Sequence, residues 1–241
     1  MPALTHPLPD VTTTDAAEIL AEHWGIRGTI RPLPGEREWN FHVYTGDASE
    51  FVLKIASPLE DAAAIDLQIA ALVHLAARAP EARTPAIVPS PTRSRVVHHT
   101  IRGETHSARL LTWLPGKPLA EVSPHGPELL QAIGRWSGSI TAALTDFEHP
   151  AARRSLKWDL ATAGWIAEHV DRISDGVRRA QVRDIIGEYT GTVQPRLAAT
   201  RSSVVHNDGN DWNLLVGRNS EGALAPSGII DFGDLLESHP V

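Results

Sequence analysis

A run of chain breakers, Pro115-Gly116-Lys117-Pro118, divides the sequence into two stretches whose apolar residues repeat with different periods. Ahead of the break the pattern is short and strand-like. Residues 28–33 alternate weakly, while residues 40–44 and 51–55 are β-prone and joined by a Thr45-Gly46-Asp47 turn. The segment Pro34-Gly35-Glu36-Arg37-Glu38-Trp39 reads as a turn-forming loop with solvated charges. Residues 95–101 and 108–113 give two more strands around a Gly103 turn. One helix lies among them: Ile65, Ile69, Leu72 and Ala76 recur at helical spacing within residues 60–78, and Pro80 ends the run. A shorter helix starts with Asp15 and Glu18 and stops at Gly25, preceded by a loose Pro- and Thr-rich arm over residues 1–13.

Beyond the break the period is helical, over residues 127–144, 159–170 and 177–199, the last shortened or kinked at Pro195. Two short strands, residues 214–216 and 228–230, flank a Gly/Asn/Ser loop near the end. The expected architecture is α+β: a strand-rich lobe over residues 1–114 and a mainly helical one over residues 115–241. With 42% hydrophobic and 21% charged residues, 241 residues supply a core for one large domain or two packed lobes. A formal charge of -7 with no basic stripe argues against nucleic acid or an anionic membrane as partner. No apolar stretch approaches a membrane span. The N-terminus lacks the basic and apolar regions of a secretion signal, so the expected location is the cytoplasm. The absence of cysteine excludes disulfides, thiolate metal sites and cysteine nucleophiles.

The chemistry is concentrated in Val205-His206-Asn207-Asp208-Gly209-Asn210-Asp211-Trp212-Asn213 and, shortly after, Ile230-Asp231-Phe232-Gly233-Asp234. His-x-Asp-x-x-x-x-Asn, a short strand pair and then Asp-Phe-Gly is the catalytic spacing of kinase-like phosphotransferases. Phosphoryl transfer needs a carboxylate beside the acceptor hydroxyl, and Asp208 is set for that. It also needs hard oxygen ligands for magnesium, which Asn213 and Asp231 supply from the two ends of one predicted hairpin. Each residue alone reads as an ordinary polar loop residue; the three together with His206 do not. Phe51-Val52-Leu53-Lys54-Ile55 adds a lysine in an otherwise apolar third strand. A strand lysine is commonly solvated, but this is where a kinase keeps the lysine that holds the α- and β-phosphates.

These stretches resemble the aminoglycoside phosphotransferase-like kinases, most of all the hydroxylysine kinase branch and the kinase part of bacterial fusions that carry a class III aminotransferase downstream. The likeness is carried by Leu33-Pro34-Gly35-Glu36-Arg37 with Asn40-Phe41, by the Lys54 strand and by Asp66-Leu67-Gln68 with Ala70-Ala71-Leu72. It continues with Leu110-Leu111-Thr112-Trp113-Leu114-Pro115-Gly116, Leu156-Lys157-Trp158-Asp159-Leu160 and the two segments above, and covers about residues 15–236. It implies a protein-kinase-like two-lobed fold with an antiparallel-sheet N-lobe, a mainly helical C-lobe and ATP or GTP between them. On that resemblance Asp208 is the base, Asn213 and Asp231 hold Mg2+, and Lys54 anchors phosphate. Gly35 and Arg37 lie in the loop over the phosphates, Gln68 sits where the helix usually offers a lysine-pairing glutamate, and the backbone near Thr112 and Leu114 meets the base. His206 braces the catalytic loop.

Three departures from the family pattern stand out. The phosphate loop has one glycine, Gln68 replaces a charged residue, and the sequence stops seven residues after Asp234, which implies a truncated C-lobe and a possible fusion to a downstream domain. The expected activity is phosphorylation of a hydroxyl on a small amine-bearing molecule: a hydroxylysine-like amino acid, an amino alcohol or an aminoglycoside. The alternatives are a non-catalytic nucleotide-binding module, an inactive fragment of a larger fusion, and a metal-dependent hydrolase using His206. Twelve histidines invite a metal reading, but His98-His99, His106 and His125 show no zinc-ligand spacing, and Trp212 divides between packing and lining the acceptor site.

Overall fold

The computed structural model describes residues 11–240, so the first ten residues of the expected arm lie outside the described residues. The arm is shorter than its composition suggests, because Thr12 already caps a helix. Helix α1 (Thr13–Trp24) opens on a capping box in which Thr12 Oγ1 accepts from the Asp15 N–H at 3.2 Å and Asp15 accepts from the Thr12 N–H at 2.7 Å. The acid partner is thus Asp15 itself, with Glu18 uninvolved. Gly25 closes the helix in the left-handed conformation at φ 68° and donates to the Leu20 carbonyl.

The strand-rich lobe is a six-stranded antiparallel sheet of β1 (Thr29–Leu33), β2 (Glu38–Tyr44), β3 (Glu50–Ala56), β4 (Ile87–Val88), β5 (Val97–Ile101) and β6 (Glu104–Thr112). Its order is β1-β2-β3-β6-β4, with β5 also paired to β6. Strand β2 starts inside the segment expected to be a loop. Glu38 pairs with Ala56 and Trp39 with Ile55 across the β2–β3 ladder, so cross-strand pairing overrides the turn character of Pro34-Gly35. Alternation along β3 and β6 sends Leu53, Ile55, Ala108 and Leu110 into a core shared with Ile19 and Leu20 of α1. Complete burial of Leu53, Leu110 and Leu20 contributes about 1.5–3 kcal/mol each.

Between β3 and β4, α2 (Ala62–Arg78) is capped by the Asp61 side chain, which accepts from Ala63 N–H at 2.9 Å. It is apolar on more than one face. Ile65 and Ile69 pack with Ala56 of the sheet, whereas Leu67, Leu72 and Leu75 join the core of the other lobe. That second core takes in Leu129, Ile140 and Leu144, the strand residues Leu214 and Val216, and Phe232 and Leu235.

The breaker itself is ordered: β7 (Lys117–Pro118) pairs with a later strand. There follow α3 (Pro127–Ala143), a 3-10 run over Leu160–Arg172 where a regular helix was expected, and α4 (Gly176–Glu188). The expected helix over residues 177–199 is three pieces: α4, a π turn at Tyr189–Val193 and a short helix at Gln194–Leu197 with Pro195 in its first turn. Strands β8 (Ser203–Val205), β9 (Leu214–Arg218), β10 (Leu224–Ile229) and β11 (Leu236–Ser238) complete the lobe. The order β10-β9-β7 forms one small sheet and β8 with β11 another. Gly228 in β10 is needed for close packing, since a Cβ there would lie 2.8 Å from Leu114 Cδ1 and 2.9 Å from the Arg83 carbonyl oxygen.

Candidate active site

Strand β8 delivers the chain into a loop, residues 206–213, that β9 then takes up. Asn207 within this loop and Asp231 after β10 adopt left-handed backbone, at φ 62° and φ 59°. Asn and Asp are among the few non-glycine residues that accept it. His206 ties the two together. Its Nε2 lies 3.1 Å from the Ile230 carbonyl and its Nδ1 accepts from the Asp208 N–H at 3.3 Å. This pattern requires the neutral tautomer with the proton on Nε2. Burial pushes the imidazole below its ordinary value, in keeping with that neutral form. His206 therefore orients the loop.

The Asp208 carboxylate is aimed by two amides. Asn210 Nδ2 donates to Oδ1 at 2.8 Å, and Asn213 Nδ2 donates to Oδ2 at 2.8 Å and to the Asp208 carbonyl at 2.9 Å. With its amide hydrogens spent on Asp208, Asn213 keeps its oxygen as a ligand atom. The β9–β10 hairpin then fixes Asp231 opposite. Leu214 pairs with Ile229, and Ile230 N–H donates to the Asn213 carbonyl at 3.0 Å. Asp231 accepts from Gly233 N–H at 3.2 Å while Phe232 turns into the core, edge-on to His206 with centroids 4.7 Å apart. Burial alone would raise the Asp231 carboxyl, but the Lys54 ammonium and the Gly233 N–H bring it below its ordinary value. One carboxylate and one amide oxygen meeting at the end of a hairpin are hard donors of the kind magnesium takes, so the residues present fit that ion.

Lys54 enters from the sheet. In register, Asn40, Lys54 and Arg109 stand side by side on β2, β3 and β6. Two neighbouring cations, of which Arg109 is only 2% exposed, require a buried counter-charge, and Glu38 provides it. Lys54 Nζ is 3.1 Å from Glu38 Oε2 and 3.6 Å from Asp231 Oδ1. Arg109 Nη2 donates to Glu38 Oε2 at 3.0 Å, and Nη1 makes an ion-pair contact with Oε1 at 2.7 Å. Desolvation would raise Glu38, but Lys54 and Arg109 overcome it and hold the carboxyl at about 2. Glu38 is thus a buried member of the site, which corrects its expected place among solvated loop charges. Gln68 is buried too, but it accepts from Arg109 Nη2 at 2.6 Å, so the carboxylate beside Lys54 comes from β2 rather than from α2. Asp66 points outward and pairs with His149 at 3.2 Å.

The loop before β2 is shaped around Gly35, where any side chain would run into the Glu38 carbonyl and the Asn40 amide; Asn40 Nδ2 donates to the Pro34 carbonyl at 3.1 Å. Arg37 reaches from this loop to an ion pair with Asp234 and lies over the Trp158 ring at 5.7 Å. Trp158 Nε1 donates to the other Asp234 oxygen at 2.8 Å. A polar cavity of about 570 Å³, open to solvent, lies between the loop, Glu60, Asp208, Asn213 and Asp231. An apolar cavity of about 470 Å³ adjoins it, lined by Val52, Leu72, Leu111, Thr112, Leu114 and Phe232 among others. Lys54, Asn213, Asp231 and the exposed Trp212 border both. Thr112 frames the apolar end through its N–H to the Ala86 carbonyl at 2.9 Å and its hydroxyl, which accepts from Ala86 N–H at 2.9 Å.

Of the residues singled out in the sequence, Asp208, Asn213, Asp231, Lys54, Gly35, Arg37 and Gln68 all line the polar cavity, and Thr112 and Leu114 line the apolar one. Glu38, Arg109, Asn210 and Trp158 were not anticipated. Arg109 had one usable signal, a charge in the middle of an apolar run beside the lysine strand, but only the β3–β6 register turns that into a contact.

An antiparallel sheet with a flanking helix, a mainly helical lobe and a cleft at their junction is the protein-kinase-like fold. The chain belongs to the phosphotransferase enzyme family, whose family profile matches residues 29–241. It is 27% identical to hydroxylysine kinase of Danio rerio over 236 residues, covering 94% of this chain and 66% of the relative. It is 30% identical to hydroxylysine kinase of Mus musculus over 247 residues, covering 94% and 65%. The chain thus spans 65–66% of the length of these curated relatives. Among solved structures, amicoumacin kinase in complex with AMP-PNP and Ca2+ superposes with a TM-score of 0.65 at 14% identity, covering 94% of this chain and 65% of that one. Among the described residues, no helix is long and apolar enough to cross a membrane.

Proposed function

We propose that this chain is a small-molecule kinase that moves the γ-phosphoryl group of ATP or GTP to a hydroxyl of an amine-bearing acceptor, a hydroxylysine-like amino acid or amino alcohol being the first choice. The observation that carries the reading is the convergence of Lys54, Asp208, Asn213 and Asp231 on the border of one polar cavity next to an apolar one. The nucleotide base takes the apolar end near Thr112 and Leu114, and the phosphates lie over Lys54 under the Gly35–Arg37 loop. Glu38 holds Lys54 in place, with Arg109 and Gln68 behind it. Asn213 and Asp231 supply oxygens for Mg2+, which when bound offsets charge on the phosphate oxygens.

Asp208, oriented by Asn210 and Asn213, accepts the hydroxyl proton as the acceptor oxygen bonds to the γ-phosphorus and the bond to the β-bridging oxygen breaks. The ammonium of the acceptor meets a cavity wall that carries Glu36 and Glu60. Burial and the nearby Glu38 raise the Glu60 carboxyl, and a bound cation would offset that desolvation. A cytoplasmic location, where both nucleotides are available, belongs to the same proposal.

The test is a coupled ADP- or GDP-release assay with Mg2+, each nucleotide and a panel of amino-alcohol acceptors. The expected result is acceptor-dependent release that Asp208→Asn lowers by about 10²–10⁴-fold while nucleotide binding is kept. Turnover unchanged in Asp208→Asn overturns the assigned base. Tight nucleotide binding with no transfer to any acceptor would replace the kinase by a nucleotide-binding module.

A further inference from the structure

The strand-rich lobe carries a second group of ligand-type side chains, away from the cleft and lining neither of its two cavities. Glu22 and His23 stand in the last turn of α1, and His99 stands in the middle of β5. Their separation in sequence hides them, since His23 and His99 are 76 residues apart and neither shows a paired-ligand spacing. Docking of α1 on the sheet brings them together. Glu22 Oε2 is 3.3 Å from His99 Nδ1, Glu22 Oε1 is 3.7 Å from His23 Nε2, and one donor atom from each residue lies within 4.8 Å of the other two. The two imidazoles meet edge to face with centroids 5.6 Å apart.

We infer that Glu22, His23 and His99 form a site for a zinc-class transition metal ion, separate from the oxygen-lined site at Asn213 and Asp231. His23 Nε2 is buried and has no hydrogen-bond partner, an expensive state for a ring nitrogen unless a cation takes its lone pair. Bonds of about 2.0–2.2 Å in tetrahedral geometry put ligand atoms roughly 3.3–3.5 Å apart. The 3.3 and 3.7 Å separations run to the two different Glu22 oxygens, so a small turn of this exposed carboxylate and an inward shift of the ring nitrogens from their 4.8 Å limit close the set around one ion. Two imidazoles and one carboxylate select zinc, cobalt, nickel or copper over magnesium or calcium, whose preferred ligands are all oxygen.

What singles out this pair is its company: His106 Nε2 is buried and unpartnered as well, but among the described residues only Glu22, His23 and His99 bring three ligand atoms within 4.8 Å of one another. His98 Nδ1 lies 3.3 Å from Ser107 Oγ, His106 Nδ1 is 3.0 Å from the Ala56 carbonyl, and His125 Nε2 is 3.1 Å from the Leu119 carbonyl. The frame is fixed as well. Trp24, next to His23, is buried and donates to the Val88 carbonyl at 3.0 Å, and Gly25 ends the helix immediately after. Glu22 is exposed, so the fourth position opens to water. An ion here clips the end of α1 to strand β5.

The experiment uses untagged full chain stripped with chelator, then titrated with Co2+ and followed by visible absorption, with Zn2+ as competitor and Mg2+ as control. One Co2+ per chain with tetrahedral d–d bands is expected, displaced by Zn2+ and indifferent to Mg2+, and the thermal midpoint rises with metal. His99→Ala and the surface variant Glu22→Gln should each weaken binding by roughly tenfold or more, while His98→Ala leaves it unchanged. Glu22 is exposed, so Glu22→Gln reports on the site even if His99→Ala folds poorly. Absence of stoichiometric binding overturns the inference, as does binding that survives Glu22→Gln and disappears in Asp231→Asn.

Discussion

Replacing Glu38 with glutamine removes one charge and almost no volume, so its effect isolates the role of the carboxylate between Lys54 and Arg109. The displacement of the Glu38 carboxyl from an ordinary value of 4.5 to about 2 corresponds to about 3 kcal/mol of preference for the ionised form. All three side chains are largely withdrawn from solvent, at 11% exposure for Glu38, 14% for Lys54 and 2% for Arg109. Solvent therefore replaces little of what is lost. Glu38→Gln strands Arg109 with Gln68 as its remaining partner, and Lys54 with Asp231 alone. Breaking one side of a buried ion pair costs about 3–5 kcal/mol, so a loss of about 3 kcal/mol is expected in urea denaturation at pH 7.

The double variant Glu38→Gln with Arg109→Met removes the stranded charge and should recover part of that loss. It should not recover nucleotide affinity, because Lys54 still lacks its anchor; a fluorescent-nucleotide titration reads this directly. A Glu38→Gln protein within about 1 kcal/mol of wild type, with unaltered nucleotide affinity, would refute the buried-network reasoning.

Acid should erase the same difference. The folded-state pKa of Glu38 is depressed, so its contribution is complete above about 4.5 and is lost as pH falls towards about 2. The stability gap between wild type and Glu38→Gln, followed by urea melts, should therefore shrink steadily from pH 6 to pH 2. At Gly228, a methyl group would meet Leu114 Cδ1 and the Arg83 carbonyl at under 3 Å. Gly228→Ala should accordingly cost about 1–3 kcal/mol and, because Leu114 borders the apolar cavity, weaken nucleotide binding. A melt and a nucleotide titration check both.

The sequence conveyed the site where its parts are local and lost it where they depend on register. Asp208, Asn213 and Asp231 lie on one loop and one hairpin, so their spacing alone brings them together. Glu38 follows Pro34-Gly35 in a charged run that has every mark of a loop. Only its pairing with Ala56 places it on the strand beside Lys54, and strand register is set by partners distant in sequence. Arg109 is hidden for the same reason. The sheet and α2 were legible because their apolar periods run over five or more residues. Strands β4, β8 and β11 are two or three residues long and carry no period to read. The segment after Glu188 looks helical in outline, yet Thr190-Gly191-Thr192-Val193 has weak helix propensity and Pro195 withholds an N–H, so the regular ladder breaks there.

The bond from Arg37 to Asp234, backed by the Trp158 ring, spans the mouth of the cleft like a clasp with one arm on the sheet and two on the helical half. An anion arriving at that mouth finds a guanidinium already held by a carboxylate. On the proposed reading, a phosphate entering there trades places with Asp234 on a guanidinium that is one-third exposed. The affinity for a phosphate-bearing ligand would then carry the cost of parting Arg37 from Asp234, a cost a neutral ligand in the same cavity does not meet.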